Sequence, residues 1–199
     1  MVSHFPSAAF LNRFVSFVAM SVSIALQGNT PSQSHAQGLG ATPTSAFRTP
    51  PGFRVEKVYE VPIETQGSWV CMTMDLKGRL IVSDQYGKLY RVTPAATGTP
   101  DSETKVEPLA TSVGMAQGLL HTKEGLYVNG EGPTGAGLYR LQDLDGDDQF
   151  EKVDHLIKLN AGEHGPHAVI QSSNGRLFLC AGNSTDLPSK IDGSRVPRR

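Results

Sequence analysis

The chain has 199 residues and a formal net charge of −1, with 18 Lys and Arg against 19 Asp and Glu. That length suits one ordinary domain, and the near-neutral balance excludes the basic footprint of a nucleic-acid binder. The 21 glycines and 13 prolines supply many chain reversals, which suits a β protein of short strands.

The N-terminus reads as an export signal over residues 1–36. Arg13 precedes the uncharged run 14–26 (FVSFVAMSVSIAL), which is too short to span a bilayer as a helix and matches a signal h-region. Ser34-His35-Ala36 offers a small-residue cleavage site. No later apolar run is long enough to cross a membrane. The mature chain is therefore expected to have no membrane span and to be periplasmic or secreted. Residues 37–50 are small, polar and Pro-bearing, as in a linker.

The globular pattern is expected over 51–187, with an irregular tail at 188–199. Residues 53–61 (FRVEKVYEV) alternate with period 2 and read as a first strand. Strands follow at 69–75, 79–83 and 88–92, so the expectation is a four-stranded antiparallel meander. The same order recurs at 117–121, 126–129 and 138–141, and again at 168–171 and 176–180. The turn glycines Gly78, Gly125 and Gly175 recur at intervals of about 50 residues, the period of a β-propeller blade. The expected fold is all-β, a partial β-propeller of about three four-stranded blades, where a closed propeller usually has at least four. A β-sandwich with coincidental turns is the alternative. Three blades leave open edges, so the chain reads as the N-terminal part of a longer propeller, with completion by a second copy as the other option. Cys71 and Cys180 both fall among apolar strand residues and read as small buried hydrophobes rather than a bridge.

Residues 143–154 (DLDGDDQFEKVD) place acidic side chains at positions 1, 3, 5, 9 and 12 of a twelve-residue loop. Asp143, Asp145, Asp147, Glu151 and Asp154, with the Gln149 carbonyl at position 7, are the candidate Ca²⁺ ligands. A hard cation takes 6–8 oxygens from such a loop. The fit is imperfect, because Asp148 stands at position 6 where glycine is usual and Gly146 stands at 4. Just beyond it, Glu163, His164 and His167 lie in a Gly- and Pro-bearing loop (GEHGPH). His164 is the candidate base, with His167 and Glu163 as alternatives.

The run EHGPHAVIQSSNGRLFLCAGN resembles the soluble quinoprotein glucose/sorbosone dehydrogenases. There a histidine loop enters a strand, a turn and a second strand ending in Gly-Asp or Gly-Asn. DLKGRLIVSDQYGKLYRV and YRLQDLDGDDQFEKVDHL are similar to the membrane-bound-dehydrogenase-type propeller of large exported bacterial proteins, often joined to a haem c domain. The resemblance covers residues 51–186. It implies a six-bladed propeller, pyrroloquinoline quinone (PQQ) and Ca²⁺ as cofactors, a sugar or alcohol substrate, and a haem c electron acceptor in a longer form. His164 takes the role of base by motif position. The blades that carry the family's other cofactor groups have no counterpart here, so the chain alone is not expected to be a complete dehydrogenase. The alternatives are a non-catalytic, calcium-stabilised propeller that binds glycans or proteins, and a calcium-dependent lactonase-type propeller.

Overall fold

The computed structural model describes residues 43–159, 165–182 and 184–186. The expected export signal and cleavage site, Glu163, His164 and the tail from 187 onward lie outside the described residues. Among the described residues no helix is long and apolar enough to cross a membrane.

The described residues are mostly β, in three antiparallel sheets. The first sheet runs β1 (Trp69–Met74), β2 (Leu80–Asp84), β3 (Leu89–Thr93), β4 (Lys105–Pro108). The second runs β5 (Gly114–Thr122), β6 (Gly125–Gly132), β7 (Gly135–Gln142), β8 (Lys152–Lys158). The third pairs β9 (Pro166–Gln171) with β10 (Leu177–Ala181). Within each sheet consecutive strands are neighbours.

The expected first strand at 53–61 is not one. That segment is extended but joins no sheet, and a single helical turn, Ile63–Gln66, separates it from β1. The fourth strand of the first sheet is instead β4, with Lys105 and Glu107 exposed. The meander is thus displaced by one strand from the sequence expectation, and β8 likewise supplies an unexpected fourth strand to the second sheet. The cysteine expectation holds only in part. Both thiols are free. Cys71 is half-buried and donates to the Ala116 carbonyl at 3.1 Å, and burial pushes its thiol up to about 12. Cys180 is exposed.

The three units align by register. Met74 pairs Leu80, His121 pairs Leu126, and Gln171 pairs Leu177, in each case flanking the first turn. That turn carries Gly78, Gly125 or Gly175, with φ of 79°, 126° and 81°, a region that side chains disfavour. The turn is closed by an equivalent oxygen each time. Asp75 Oδ1 accepts from the Lys77 and Arg79 N–H groups, Thr122 Oγ1 from Glu124 N–H, and Ser172 Oγ from Arg176 N–H.

Because side chains alternate across a strand, each sheet has two faces. Ile81 and Leu89 of the first sheet point forward onto Leu119, Leu126, Val128, Tyr139 and Leu141 of the second. Leu120, Tyr127 and Leu138 of the second point forward onto Val169, Leu177 and Leu179 of the third. The second sheet is therefore buried on both faces. A residue of β2 or β6 stitches each sheet to the first strand of the next. Ser83 Oγ accepts from Ala116 N–H at 3.0 Å, and Asn129 Nδ2 donates to the His167 carbonyl at 2.8 Å. The first strands of the second and third sheets come close at Gly118, where an added Cβ would lie 2.1 Å from the His167 carbonyl oxygen.

Candidate metal centre

The β7–β8 connection, residues 143–151, holds the acidic loop. Its carboxylates are fixed by the loop's own backbone. Asp143 accepts from Gly146 N–H at 2.6 Å and from Asp148 N–H at 2.9 Å. Asp145 accepts from Asp147 N–H at 3.2 Å, and Asp147 from Gln149 N–H at 2.7 Å. Glu151 reaches back to Leu144 N–H at 2.7 Å. The outcome is that Asp143, Asp145, Asp147 and Glu151 each offer an oxygen within 4.8 Å of the others'. Four of the six expected ligand positions are thus brought together. Gln149 lies in the same loop and donates its N–H into it.

Asp154 does not join them. It lies on β8, opposite Arg140 of β7, and pairs with Arg140 at 2.9 Å and Lys152 at 3.2 Å. Hydrogen bonds from Arg140, then Lys152, hold its carboxyl below the usual range. The twelve-residue spacing fails here because the loop has already become a strand.

Asp148 explains the missing glycine at position 6. It adopts φ 73°, in the left-handed region that aspartate tolerates better than most residues. Its side chain serves the first sheet rather than the carboxylate cluster. Arg79 grips it with two N–H groups at 2.9 Å, and Lys77 adds a contact at 2.7 Å. Arg79, then Lys77, hold the Asp148 carboxyl well below the usual range. Arg91 donates to the Asp148 carbonyl, and its other end pairs with Glu107 at 3.0 Å. Arg79 also binds Asp75 at 2.7 Å. Burial alone would raise the Asp75 carboxyl, but the N–H groups and guanidinium of Arg79 outweigh it and the net shift is down.

These groups line a cleft of about 330 Å³ between the first and second sheets, together with His121. The His121 Nδ1 is buried without a hydrogen-bond partner, and burial holds the imidazole below its ordinary value.

Of the histidine-loop residues, His167 is half-buried and is the second residue of β9. Its carbonyl is the acceptor of the Asn129 stitch. The reading of His164 or Glu163 as base falls on residues outside those described. Sequence reasoning missed Asp75, Lys77, Arg79, Arg91 and Asp148. One signal was present: the turn sequence Gly-Arg-Leu recurs at Gly78 and Gly175, but its arginine carries no long-range message by itself.

No protein-family model, curated protein or solved structure matches the chain.

Proposed function

We propose that the chain is a calcium-stabilised β-propeller segment, a scaffold in which a cation held by Asp143, Asp145, Asp147 and Glu151 fixes the contact between consecutive blades. The observation that carries it is the convergence of those four carboxylates on one point. Two unit charges about 4 Å apart repel by roughly 1 kcal/mol in water and about 4 kcal/mol at an effective dielectric of 20. Backbone donors relieve part of that repulsion, and a hard divalent cation relieves the rest. The all-oxygen donor set suits Ca²⁺ rather than a softer metal. The blade arrangement is supported by the repeated register and by the equal forward-facing contacts of two successive sheets. The cation's role follows from position: the residue between the ligands, Asp148, is the one that grips Arg79 of the preceding sheet.

The experiment is thermal unfolding of the full chain with Ca²⁺ and with chelator. A ligand that binds only the folded state raises the melting temperature by mass action. Calcium is expected to raise it, and the double variant Asp145→Asn, Asp147→Asn is expected to lose the response while keeping its β circular dichroism. A melting temperature indifferent to calcium and chelator removes the reading.

A further inference from the structure

The cleft between the first and second sheets holds about 330 Å³, near the lower end of the range for small-ligand sites. A count of charge does not say what it takes up. Lys77, Arg79, Arg91 and Lys123 line it against Asp75, Glu124, Asp143 and Asp148. What breaks the tie is which groups are already engaged. Asp75 and Asp148 are both held by Arg79, and Lys77 adds to Asp148. Asp143 accepts from two backbone N–H groups of its own loop, and Glu124 accepts from the Thr122 hydroxyl at 2.8 Å. Each of these carboxylates therefore has a donor.

The nitrogen side is not filled. Arg91 spends its terminal N–H groups on Glu107 and the Asp148 carbonyl, but its Nε is buried without a partner. His121 on β5 is fixed by its backbone N–H, which donates to Thr73 Oγ1 at 3.3 Å, and its ring Nδ1 is likewise buried without a partner. Arg91 and Asp148 are close enough for their charges to act on that ring, so the two orphaned nitrogens share one neighbourhood. Lys123 is exposed in the β5–β6 turn and makes no ion pair among the described residues. Buried polar atoms are normally partnered, and two unpartnered nitrogens on side chains that line one cleft are an exception that a ligand explains.

We infer that this cleft binds a small oxyanion, a carboxylate or phosphate group, with Arg91, His121 and Lys123 as its donors. Arg91 keeps its charge at any ordinary pH and is held at both terminal N–H groups, so it is a fixed donor. Lys123 adds charge from the exposed turn. The inference goes beyond the calcium scaffold and does not rest on it, because none of the three donors is a proposed calcium ligand.

The experiment is titration of the full chain with inorganic phosphate and, separately, with malonate. Ionic strength is held constant, and each titration is run with calcium and after divalent cations are stripped. Binding is read by calorimetry and by the His121 ring resonances in NMR, and circular dichroism checks that each variant folds. One-to-one saturation is expected in the millimolar range or tighter, with the His121 ring shifting along the same curve. His121→Phe is expected to weaken binding about tenfold, the scale of one hydrogen bond to a charged group. Lys123→Ala, in an exposed turn, should weaken it about threefold. Lys105→Ala, an exposed lysine of β4 outside the cleft, should leave it unchanged. Saturation by phosphate, by malonate or by both tells which oxyanion the cleft accepts. No saturation with either anion would overturn the inference. So would binding that leaves the His121 ring unmoved, that survives both His121→Phe and Lys123→Ala, or that Lys105→Ala weakens equally. Binding that needs calcium and is indifferent to those variants would place the anion on the metal and overturn it too. The calcium response is read by melting without added anion, so the two proposals fail separately.

Discussion

The two interfaces that flank the second sheet share a plan and differ in how they are locked. Both bury alternate residues of facing sheets, and both carry a polar stitch to the following first strand, from Ser83 or Asn129. Among the described residues, only the interface between the first and second sheets adds a charged clamp, Asp148 against Arg79, Lys77 and Arg91. The arginines at equivalent positions show the divergence. Arg91 is 3% exposed and reaches the next sheet's loop, whereas Arg140 stays within its own sheet against Asp154. The connection after the third strand decides this. In the second sheet it reaches back to the first. In the first sheet it reaches back to the extended N-terminal segment, through Lys57–Asp101 at 3.0 Å and Thr104 Oγ1 to the Val58 carbonyl at 2.7 Å. That segment therefore occupies part of the place that a preceding sheet would take.

The comparison is broken most severely at the apolar level. Leu126→Ala at the first interface is expected to cost about 2–5 kcal/mol in denaturant unfolding, the range for truncating a buried leucine, because Leu126 is 0% exposed. Leu138→Ala should fall nearer the lower end, since the third sheet covers it with two strands rather than four. Equal losses would mean that the number of covering strands does not matter. Next comes the clamp. Arg79→Met is expected to cost about 2 kcal/mol, the scale of hydrogen bonds to charged groups, because Asp75 is buried and keeps only its backbone donors.

A smaller effect separates charge from shape. Asp148→Asn keeps a residue that tolerates positive φ and is expected to cost about 1 kcal/mol at neutral pH. The native Asp148 carboxyl is held below its unfolded value, so its contribution is present above the ordinary carboxylate pKa and disappears as the pH falls through the folded one. The difference between wild type and Asp148→Asn should therefore shrink below about pH 4. A difference constant down to pH 2 would remove the charge argument. The smallest effect belongs to His121. Its folded pKa is lowered by burial, so the unfolded chain takes up a proton first and stability falls as the pH drops below about 6.5. His121→Gln should flatten the slope between pH 6.5 and 5 in a melting series, and an unchanged slope would assign that region to other groups.

Much of the sheet plan was legible because it rests on local chemistry. The turn glycines and the short apolar runs mark β1–β3, β5–β7, β9 and β10 directly. The two fourth strands were hidden by their composition. β4 is a charged, Pro-ended edge, and β8 begins inside an acidic run that spacing assigned to the loop. The segment 53–61 shows the opposite error. Its alternation reports extended backbone, but strand pairing needs a partner edge, and Phe53 is 73% exposed. In the candidate centre, the four carboxylates that converge could be read from their spacing. Asp154 could not be rejected, because its partner Arg140 is chosen by cross-strand register. The clamp was beyond sequence reasoning, since Lys77 and Arg79 meet Asp148 only after two sheets stack.

Gly118 has a consequence for how the sheets can be respaced. At the equivalent position between the first two sheets, Cys71 inserts a thiol toward the Ala116 carbonyl, but at Gly118 backbone meets backbone directly. A Cβ at Gly118 would lie 2.1 Å from the His167 carbonyl oxygen, so any side chain placed there must force the first strand of the third sheet away from that of the second.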